Sequence, residues 1–171
     1  MMRSTAIVVA IAATTAIPTG AMALQEGQQT MTITRRQGQQ SIEGPAENFT
    51  GKATITGMFA REAPSRMTGA IVRFEPGART AWHSHPLGQT LIVTEGTGWT
   101  QIAGGGKYEF HEGDILWCPA DKKHWHGATP HQGMTHIALQ ESLDGTNVTW
   151  MEKVTDEEYL ADLADDQPAA D

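Results

Sequence analysis

The stretch GARTAWHSHPLGQTLIVTEG, residues 77–96, places two histidines one residue apart within an apolar, strand-like sequence. Successive side chains of a β-strand point to opposite faces, so His83 and His85 share a face. A Pro-Leu-Gly turn follows, and Gln89 leads into the next strand. Two histidines on one face are typical of a metal site, but alternating polar residues on an exposed strand give the same pattern. The pair alone does not separate these two interpretations.

From residue 52 onward the chain consists of short runs rich in Ile, Val, Thr and Trp, separated by breaks that contain Gly or Pro. Such runs predict β-strands, because β-branched and aromatic side chains fit a pleated surface. Their number and spacing predict an all-β sandwich or barrel. The predicted strands are KATITGMFA (52–60), MTGAIVRFE (67–75), TLIVTEG (90–96), GWTQIA (98–103), GDILWCP (113–119), HWHGA (124–128) and MTHIALQE (134–141).

One helix is predicted, close to the C-terminus. Thr155 and Glu158 match a capping box, in which each side chain satisfies a free amide of the first turn. Tyr159, Leu160 and Leu163 supply an apolar stripe for this helix. A short C-terminal helix is therefore expected beside the strands.

The N-terminal residues 1–23 have the pattern of a secretory signal peptide. An early positive charge precedes an apolar run, residues 6–17, and small residues precede a cleavage point after Ala23. A membrane anchor is the alternative, but the run is shorter than the ~20 residues that cross a bilayer. We expect export across the inner membrane to the periplasm, with no membrane association after cleavage.

The rest of the chain is expected to form one domain. Residues 24–43 are rich in Gln, Gly and Thr without apolar periodicity, which predicts a flexible N-terminal segment. The predicted domain covers residues 44–160, and residues 161–171 form an acidic tail. A chain of this length can bury a core of its own.

Charge and cysteine content exclude some functions. The formal net charge of -8 argues against nucleic-acid binding, which requires a basic surface, and leaves a small-molecule substrate as the expected partner. The single cysteine, Cys118, cannot form an internal disulfide and lies in the apolar sequence ILWCPA. We interpret it as a small buried hydrophobic residue rather than a nucleophile.

Two motifs in the chain resemble those of the cupin superfamily. The first, G-x5-H-x-H-x3-E-x6-G, is matched by Gly77, His83, His85, Gln89 and Gly96, with Gln in the Glu position. The second, G-x5-P-x-G-x2-H, is matched by Gly113, Pro119, Asp121 and His124, with Asp in place of the inner glycine. Asp tolerates turn geometry, so this second departure is minor. The resemblance implies a double-stranded β-helix, or jelly-roll barrel, with a metal site.

Beyond the two motifs, the chain resembles small bacterial cupins that include manganese-dependent hydroxynitrile lyases, and this resemblance extends over residues 44–159. It implies that a divalent metal is held by His83, His85, Gln89 and His124. The family implies Mn²⁺, although nitrogen and amide-oxygen ligands also suit Fe²⁺, Ni²⁺, Co²⁺ or Zn²⁺. Carried over by position, the substrate pocket contains Ala70, Val72 and Thr80, and the catalytic set is His126, His136 and Gln140.

The glutamine in the motif's glutamate position has an electrostatic consequence. Three histidines and a glutamine leave the charge of a divalent metal uncompensated, whereas a glutamate would supply one negative charge. Such a centre attracts anions more strongly and lowers the pKa of a bound hydroxyl group further. Gln89 therefore favours Lewis acid chemistry over oxygen activation.

The neighbouring strands supply groups that can move protons. His136, Ala138 and Gln140 share one face of their strand, and Ala70 and Val72 share a face of theirs. In the expected reaction His136 or His126 removes the hydroxyl proton of a cyanohydrin, and Gln140 helps to stabilise the departing cyanide. Each histidine has an alternative role as a structural residue that orients a ligand. The two remaining histidines of the domain, His111 and His131, are predicted to be exposed bystanders.

The resemblance, together with the signal pattern, implies an exported, metal-dependent carbon-carbon lyase that cleaves or forms cyanohydrins. A dioxygenase of a small organic substrate on the same scaffold is one alternative, and a binding protein without turnover is the other. Trp82, Trp99, Trp117 and Trp125 lie in strand-like segments, where core packing or subunit contact is expected. Because apolar residues lie on both faces of the strands, a homodimer or homotetramer is expected.

Overall fold

The strands are visible in a computed structural model, which describes residues 31–167. One compact unit begins at Thr34, and a short 3-10 helix, Arg36–Gly38, precedes the first strand. The strands are β1 (Ser41–Glu43), β2 (Phe49–Thr50), β3 (Ala53–Ala60), β4 (Met67–Phe74), β5 (Arg79–Thr80), β6 (His83–Ser84), β7 (Gln89–Ile102), β8 (Lys107–His111), β9 (Ile115–Cys118), β10 (His124–Ala128), β11 (Met134–Glu141) and β12 (Thr149–Trp150); helix α1 (Asp156–Leu160) follows. The all-β prediction with one short helix near the C-terminus is confirmed.

The strands form two layers that share β7. One layer has the order β1, β3, β4, β11, β7 and β9, and the other contains β2, β5, β10, β7 and β8, with β6 and β12 beside β10. All of these pairings are antiparallel. The two layers curl around a common interior, which is where the histidines of the motifs lie.

Gly96 is the point at which β7 passes from one layer to the other. Its φ is +79°, and a Cβ there would lie 2.0 Å from the carbonyl oxygen of Gly133, so only glycine fits. The predicted separation of TLIVTEG from GWTQIA is therefore wrong. Both runs belong to the single strand Gln89–Ile102, which bends at this glycine instead of ending there.

One strand, β8, was missed because its sequence, KYEFH, is largely polar. Lys107 is buried, and its ammonium donates hydrogen bonds to the carbonyl oxygens of Tyr159 and Ala161 at the end of α1. These helix-terminal carbonyls have no partner within the helix, so the buried lysine satisfies them. The charged residue in this strand thus anchors the C-terminal helix.

The main core fills the space between the two layers. Its buried residues alternate along β4 and β11, as strand geometry requires, so that Val72 and Phe74 face Met134 and the interior. The complete apolar cluster is Phe49, Ala53, Val72, Phe74, Ala78, Val93, Phe110, Ala128 and Met134. Polar residues that share this interior include the histidines described below.

A second core cluster forms under α1. Thr155 Oγ1 accepts a hydrogen bond from the amide of Glu158, whose carboxylate accepts one from the Thr155 amide, so the predicted capping box is confirmed. Tyr159 is buried with Trp82 and Trp125. The predicted apolar stripe is wrong in two respects. Leu160 is exposed, because a single helical turn presents only one of two adjacent residues to the sheet, and Leu163 lies beyond the helix, which ends at Leu160.

Both ends of the domain differ in detail from the predicted boundaries. Ser41–Glu43, expected in the flexible segment 24–43, pairs with β3 as an edge strand. Beyond α1, the Ala164 amide and the Gln167 side chain both donate to the carbonyl oxygen of Lys107. The predicted signal peptide, residues 1–23, lies outside the described residues. Within residues 31–167 no helix is long and apolar enough to cross a membrane.

The outer face of the first layer carries an exposed apolar band. Ile71, Ile137, Ile92 and Ile115 are cross-strand neighbours in one row across β4, β11, β7 and β9. Ile115 is 70% exposed, and Trp117, two residues further along β9, is 61% exposed. Core packing therefore accounts for Trp82 and Trp125 but not for Trp117.

Replacing Thr155 with Ala should destabilise the domain by about 1 kcal/mol, because the amide of Glu158 loses its acceptor at the start of α1. Urea unfolding followed by tryptophan fluorescence measures this change, since Tyr159 packs against Trp82 and Trp125. Thr155→Ser keeps the acceptor and should retain most of the stability. Equal losses in the two variants would contradict a role for the capping box.

Candidate metal centre

Three histidines from two adjacent strands and the turn between β6 and β7 meet in the interior. His83 and His124 are cross-strand partners in β6 and β10, and His85 follows β6. The ligand nitrogens of His83, His85 and His124 all lie within 4.8 Å of one another, and all three side chains are buried. The residues that the two motifs assign to a metal are thus brought together.

The tautomer of each histidine is determined by a backbone carbonyl. Nδ1 lies 3.0 Å from the Ala81 oxygen in His83, 2.6 Å from the Asn147 oxygen in His85, and 3.0 Å from the Lys122 oxygen in His124. Because a carbonyl oxygen can only accept, Nδ1 carries the hydrogen in all three rings. The Nε2 lone pairs are therefore free to bind a cation, as in histidines whose other nitrogen is held by a carbonyl.

Gln89 adds an oxygen to this set of donors. Its side chain is buried, and its Oε1 lies 3.3 Å from His124 Nε2. Since that nitrogen carries no hydrogen, two lone pairs face each other across this distance. His85 Nε2 is also buried, and no donor contacts it among the described residues. Converging, hydrogen-free N and O atoms fit a divalent cation and are costly to bury without one.

The three histidines are neutral near pH 7. Burial lowers the pKa of His124 to about 4 and that of His83 well below its ordinary value, with repulsion from His124 adding to the effect on His83. Burial also lowers the pKa of His85. A neutral imidazole is the form that binds metal, so protons do not compete for the lone pairs at this pH.

The backbone of Asp121 makes the turn of the second motif without the usual glycine. It adopts a φ of +60°, a left-handed conformation that Asp tolerates better than most residues. Its amide donates to the carbonyl oxygen of His85. The turn before β10 is thus tied directly to one histidine of the cluster.

A second pair of histidines lies beside the first cluster. His136 Nε2 and His126 Nδ1 are 3.3 Å apart, and both rings are buried against Phe74. Burial lowers the pKa of His136 to about 3 and that of His126 well below its ordinary value. One hydrogen must lie between the two rings, so of the remaining nitrogens, His126 Nε2 and His136 Nδ1, one is a donor and the other an acceptor. The pair can therefore accept one proton and release another.

The predicted pocket residues lie around this pair. Val72 is the cross-strand neighbour of His136, and Ala70 that of Ala138. Thr80 is buried, and its hydroxyl oxygen accepts a hydrogen bond from the His126 amide. Gln140 is the cross-strand neighbour of Gln89, whose amide donates to Gln140 Oε1 at 3.3 Å.

The residues predicted to have no role in the site lie outside it. His111 and His131 are exposed, as expected, and His111 contacts the carboxylates of Glu109 and Asp114. Cys118 is half-buried rather than fully buried, and burial raises the pKa of its thiol to about 11. The thiol is thus protonated at neutral pH, which does not suit a nucleophile.

Three contributors to the site were missed. Thr68 Oγ1 accepts hydrogen bonds from the side chains of Gln140 and Asn147, the Asn147 carbonyl oxygen accepts one from His85, and the ring of Trp150 lies 4.8 Å from that of His83. Strand alternation could have identified Thr68, which shares a face with Ala70 and Val72. Asn147 and Trp150 come from the segment between β11 and α1, which has no periodic signal.

The chain is similar to known proteins in both sequence and fold. A family model described as Cupin domain matches residues 70–137. The (R)-mandelonitrile lyase of Granulicella tundricola is 57% identical over 129 residues, which cover 75% of this chain and 98% of that protein. A solved structure of a cupin-like protein from Thermotoga maritima is 38% identical, with a TM-score of 0.64, and the match covers 68% of this chain and 89% of that one. The polyketide cyclase RemF from Streptomyces resistomycificus, at 15% identity, has the same fold, with a TM-score of 0.59 over 76% of this chain and 91% of its own.

Replacing His136 with Gln should make the metal-free protein less sensitive to acid. An unfolded histidine binds a proton near pH 6.5, whereas folded His136 has a pKa of about 3. The stability that depends on neutral His136 is therefore fully present above pH ~6.5 and is lost as the pH falls toward 3. We expect the variant to lower the slope of unfolding free energy against pH by up to ~1.4 kcal/mol per pH unit between about pH 6 and 4.

Urea unfolding of chelator-treated protein at several pH values measures this slope. The matched control is His131→Gln, which makes the same substitution at an exposed position and should keep the original slope. Identical slopes for His136→Gln and the unaltered protein would show that His136 is not held neutral by the fold.

Proposed function

The chain belongs to the cupin family, and on that premise we propose that it is a metal-dependent lyase that cleaves cyanohydrins to a carbonyl compound and hydrogen cyanide, or forms them in reverse. The observation that carries this proposal is the 57% identity to a protein named (R)-mandelonitrile lyase across 98% of that protein's length. The convergence of His83, His85 and His124 supports the same reaction, because it provides the ligands of a Lewis acid.

In this proposal the metal is held by the Nε2 atoms of His83, His85 and His124 and by Gln89 Oε1. Manganese is the metal we propose, on the family resemblance, although this donor set also suits iron, nickel, cobalt and zinc. When bound, a divalent ion supplies Lewis acidity that lowers the pKa of a substrate hydroxyl group. The neutral Gln89 side chain adds no negative charge that would weaken this effect.

Proton transfer is assigned to the pair of His126 and His136. Because both rings are held neutral by burial, the free acceptor nitrogen of the pair can take the hydroxyl proton of the cyanohydrin as the carbon-carbon bond breaks. The bonding electrons leave with cyanide, and the donor nitrogen of the pair returns a proton to form hydrogen cyanide. The number of protons on the pair is then unchanged.

Gln140 and the smaller pocket residues have supporting roles in the proposed reaction. One hydrogen of Gln140 Nε2 is donated to Thr68 Oγ1 at 3.1 Å, which leaves the second for the departing cyanide. Ala70 and Val72 are short side chains on the strand next to His136, and we assign them to the wall that a substrate side group would contact. Thr80 supports the backbone of His126 and so helps to hold the ring of the proton-transfer pair.

We also propose that the protein acts in the periplasm as a homo-oligomer. Export is supported by the signal pattern of residues 1–23. Oligomerisation is supported by the row of Ile71, Ile137, Ile92 and Ile115 and by the exposed Trp117, because apolar patches of this kind on soluble proteins mark contact surfaces. A second copy of the chain is the partner we assign to this face.

The lyase proposal is tested by measuring benzaldehyde release from mandelonitrile by the purified protein. We expect activity that is lost after chelation and restored by Mn²⁺. His83→Ala should lose the bound metal and slow the reaction at least a hundredfold, equivalent to ~2.7 kcal/mol of transition-state stabilisation. His111→Ala, at an exposed histidine, is the matched control and should keep both metal and activity.

The outcomes separate the proposed lyase from the two alternatives. Metal-dependent oxygen consumption with a small organic substrate and no mandelonitrile cleavage would favour a dioxygenase. Tight retention of an organic molecule without chemical change would favour a binding protein. Full lyase activity in the chelated protein or in His83→Ala would refute metal dependence.

Replacing Ile115 with Lys should reduce the mass of the protein in solution to that of a monomer. Association of two copies through the apolar band would bury the new ammonium group at their interface, which costs free energy. Light scattering at micromolar concentration measures the mass. Leu160→Lys, at an exposed apolar residue of α1 away from this face, is the control and should remain oligomeric. A monomeric mass for the unaltered protein would refute the oligomer.

A further inference from the structure

A chain of hydrogen bonds links Gln89 to residues behind the proposed metal centre. Gln89 Nε2 donates to Gln140 Oε1 at 3.3 Å, and Gln140 Nε2 donates to Thr68 Oγ1 at 3.1 Å. Asn147 Nδ2 donates to the same hydroxyl oxygen at 3.0 Å. The carbonyl oxygen of Asn147 accepts from His85 Nδ1, so the chain connects two of the proposed ligands.

The donor and acceptor roles along this series of hydrogen bonds are fixed at Thr68. The Thr68 hydroxyl donates to the backbone carbonyl oxygen of Gln140 at 3.1 Å, and a carbonyl can only accept. The hydroxyl hydrogen is therefore committed, and Thr68 Oγ1 has only lone pairs to offer to Gln140 and Asn147. An amide that faces Thr68 must present its nitrogen.

This requirement passes along the chain to Gln89. Because the nitrogen of the Gln140 amide faces Thr68, its oxygen faces Gln89 and needs a donor. Gln89 must then turn its own nitrogen toward Gln140, which leaves its Oε1 toward His124 Nε2. The orientation of the Gln89 amide is thus determined at Thr68, which is two hydrogen bonds away through Gln140.

The opposite orientation of Gln89 would compete with metal binding. A reversed amide would place its N–H groups toward His124 Nε2, whose lone pair is free because Nδ1 donates to the Lys122 carbonyl. That hydrogen bond would occupy the His124 lone pair and turn Gln89 Oε1 away, so two of the four ligand atoms would be lost to the metal. The hydrogen bonds that begin at Thr68 disfavour the reversed Gln89 amide, because the reversed amide would place its oxygen against the amide oxygen of Gln140.

We propose that Thr68 is a positioning residue that keeps Gln89 Oε1 directed at the metal, acting through the Gln140 side chain. This inference rests on the metal centre of the proposed function but not on its reaction. Its consequence is a metal affinity that depends on a hydroxyl group outside the ligand set. Partners that orient ligands in this way contribute about tenfold to a hundredfold to metal affinity.

The test is the dissociation constant of Mn²⁺, measured by calorimetric titration of the chelator-treated full-length protein. Thr68→Val removes the hydroxyl at nearly constant shape and should weaken Mn²⁺ binding about tenfold to a hundredfold. Thr68→Ser keeps the hydroxyl and should restore binding. The matched control is Thr94→Val, because the Thr94 hydroxyl also donates to a carbonyl of β11 but at an exposed position.

A second variant shows whether Thr68 acts through Gln140. Gln140→Leu should weaken Mn²⁺ binding, and adding Thr68→Val to it should cause no further loss, because the two residues act in series. Additive losses would overturn the inference. The thermal midpoint of each metal-free variant identifies any that fail to fold, and Thr68→Ala, which also removes the hydroxyl, takes the place of Thr68→Val if the valine variant does not fold.

The possible results distinguish this inference from the proposed function. Unchanged Mn²⁺ binding by Thr68→Val, or an equal loss in Thr94→Val, would overturn the role of Thr68 and leave the lyase proposal intact. Mn²⁺ binding without mandelonitrile cleavage would refute the lyase, while the dissociation constants would still decide the role of Thr68. No metal binding by the unaltered protein would refute both.

Discussion

The hydrogen bonds from three histidine Nδ1 atoms to backbone carbonyls are the constraint on which the site depends. The acceptors belong to Ala81, Lys122 and Asn147, so they come from different segments of the chain. Each carbonyl fixes one tautomer and directs the Nε2 lone pair inward. Two of these acceptors lie two residues before their own histidine, and only the third requires a distant loop. The carbonyls of Ala81 and Lys122 are thus local to their histidines, and the loop between β11 and β12 supplies the third acceptor.

This arrangement conflicts with the stability of the fold. The neutral histidines and Gln89 are buried beside one another, with lone pairs that face each other, which costs free energy in the absence of a cation. The two apolar clusters, one between the layers and one under α1, stabilise the fold against this cost. A cation bound only by the folded state would add to that stability by mass action. The same side chains thus weaken the metal-free fold and favour the metal-bound one.

Much of this architecture could be predicted from local pattern, and what could not be predicted depends on tertiary contacts. Strand alternation placed His83 and His85 on one face, and the resemblance to the two cupin motifs added His124, which pairs with His83 across β6 and β10. In contrast, Lys107 makes β8 look polar, and only the distant end of α1 explains its burial. Gly96 resembles a strand end in sequence but is a bend, because the strand continues in the other layer. Asn147 contributes a backbone carbonyl, which no side-chain pattern can reveal.

The glutamine at the motif's glutamate position is best understood as one member of a neutral network. A carboxylate at position 89 would have no N–H for Gln140 Oε1, so the Gln140 amide would have to turn around. The Thr68 hydroxyl would then have to break its hydrogen bond to the backbone carbonyl of Gln140 in order to donate to the oxygen of the reversed amide. Three residues would change their bonding to accommodate a single new charge. The fold therefore specifies an amide at position 89 through its neighbours, and the charge of the proposed metal is left uncompensated as a consequence of hydrogen bonding in the surrounding strands.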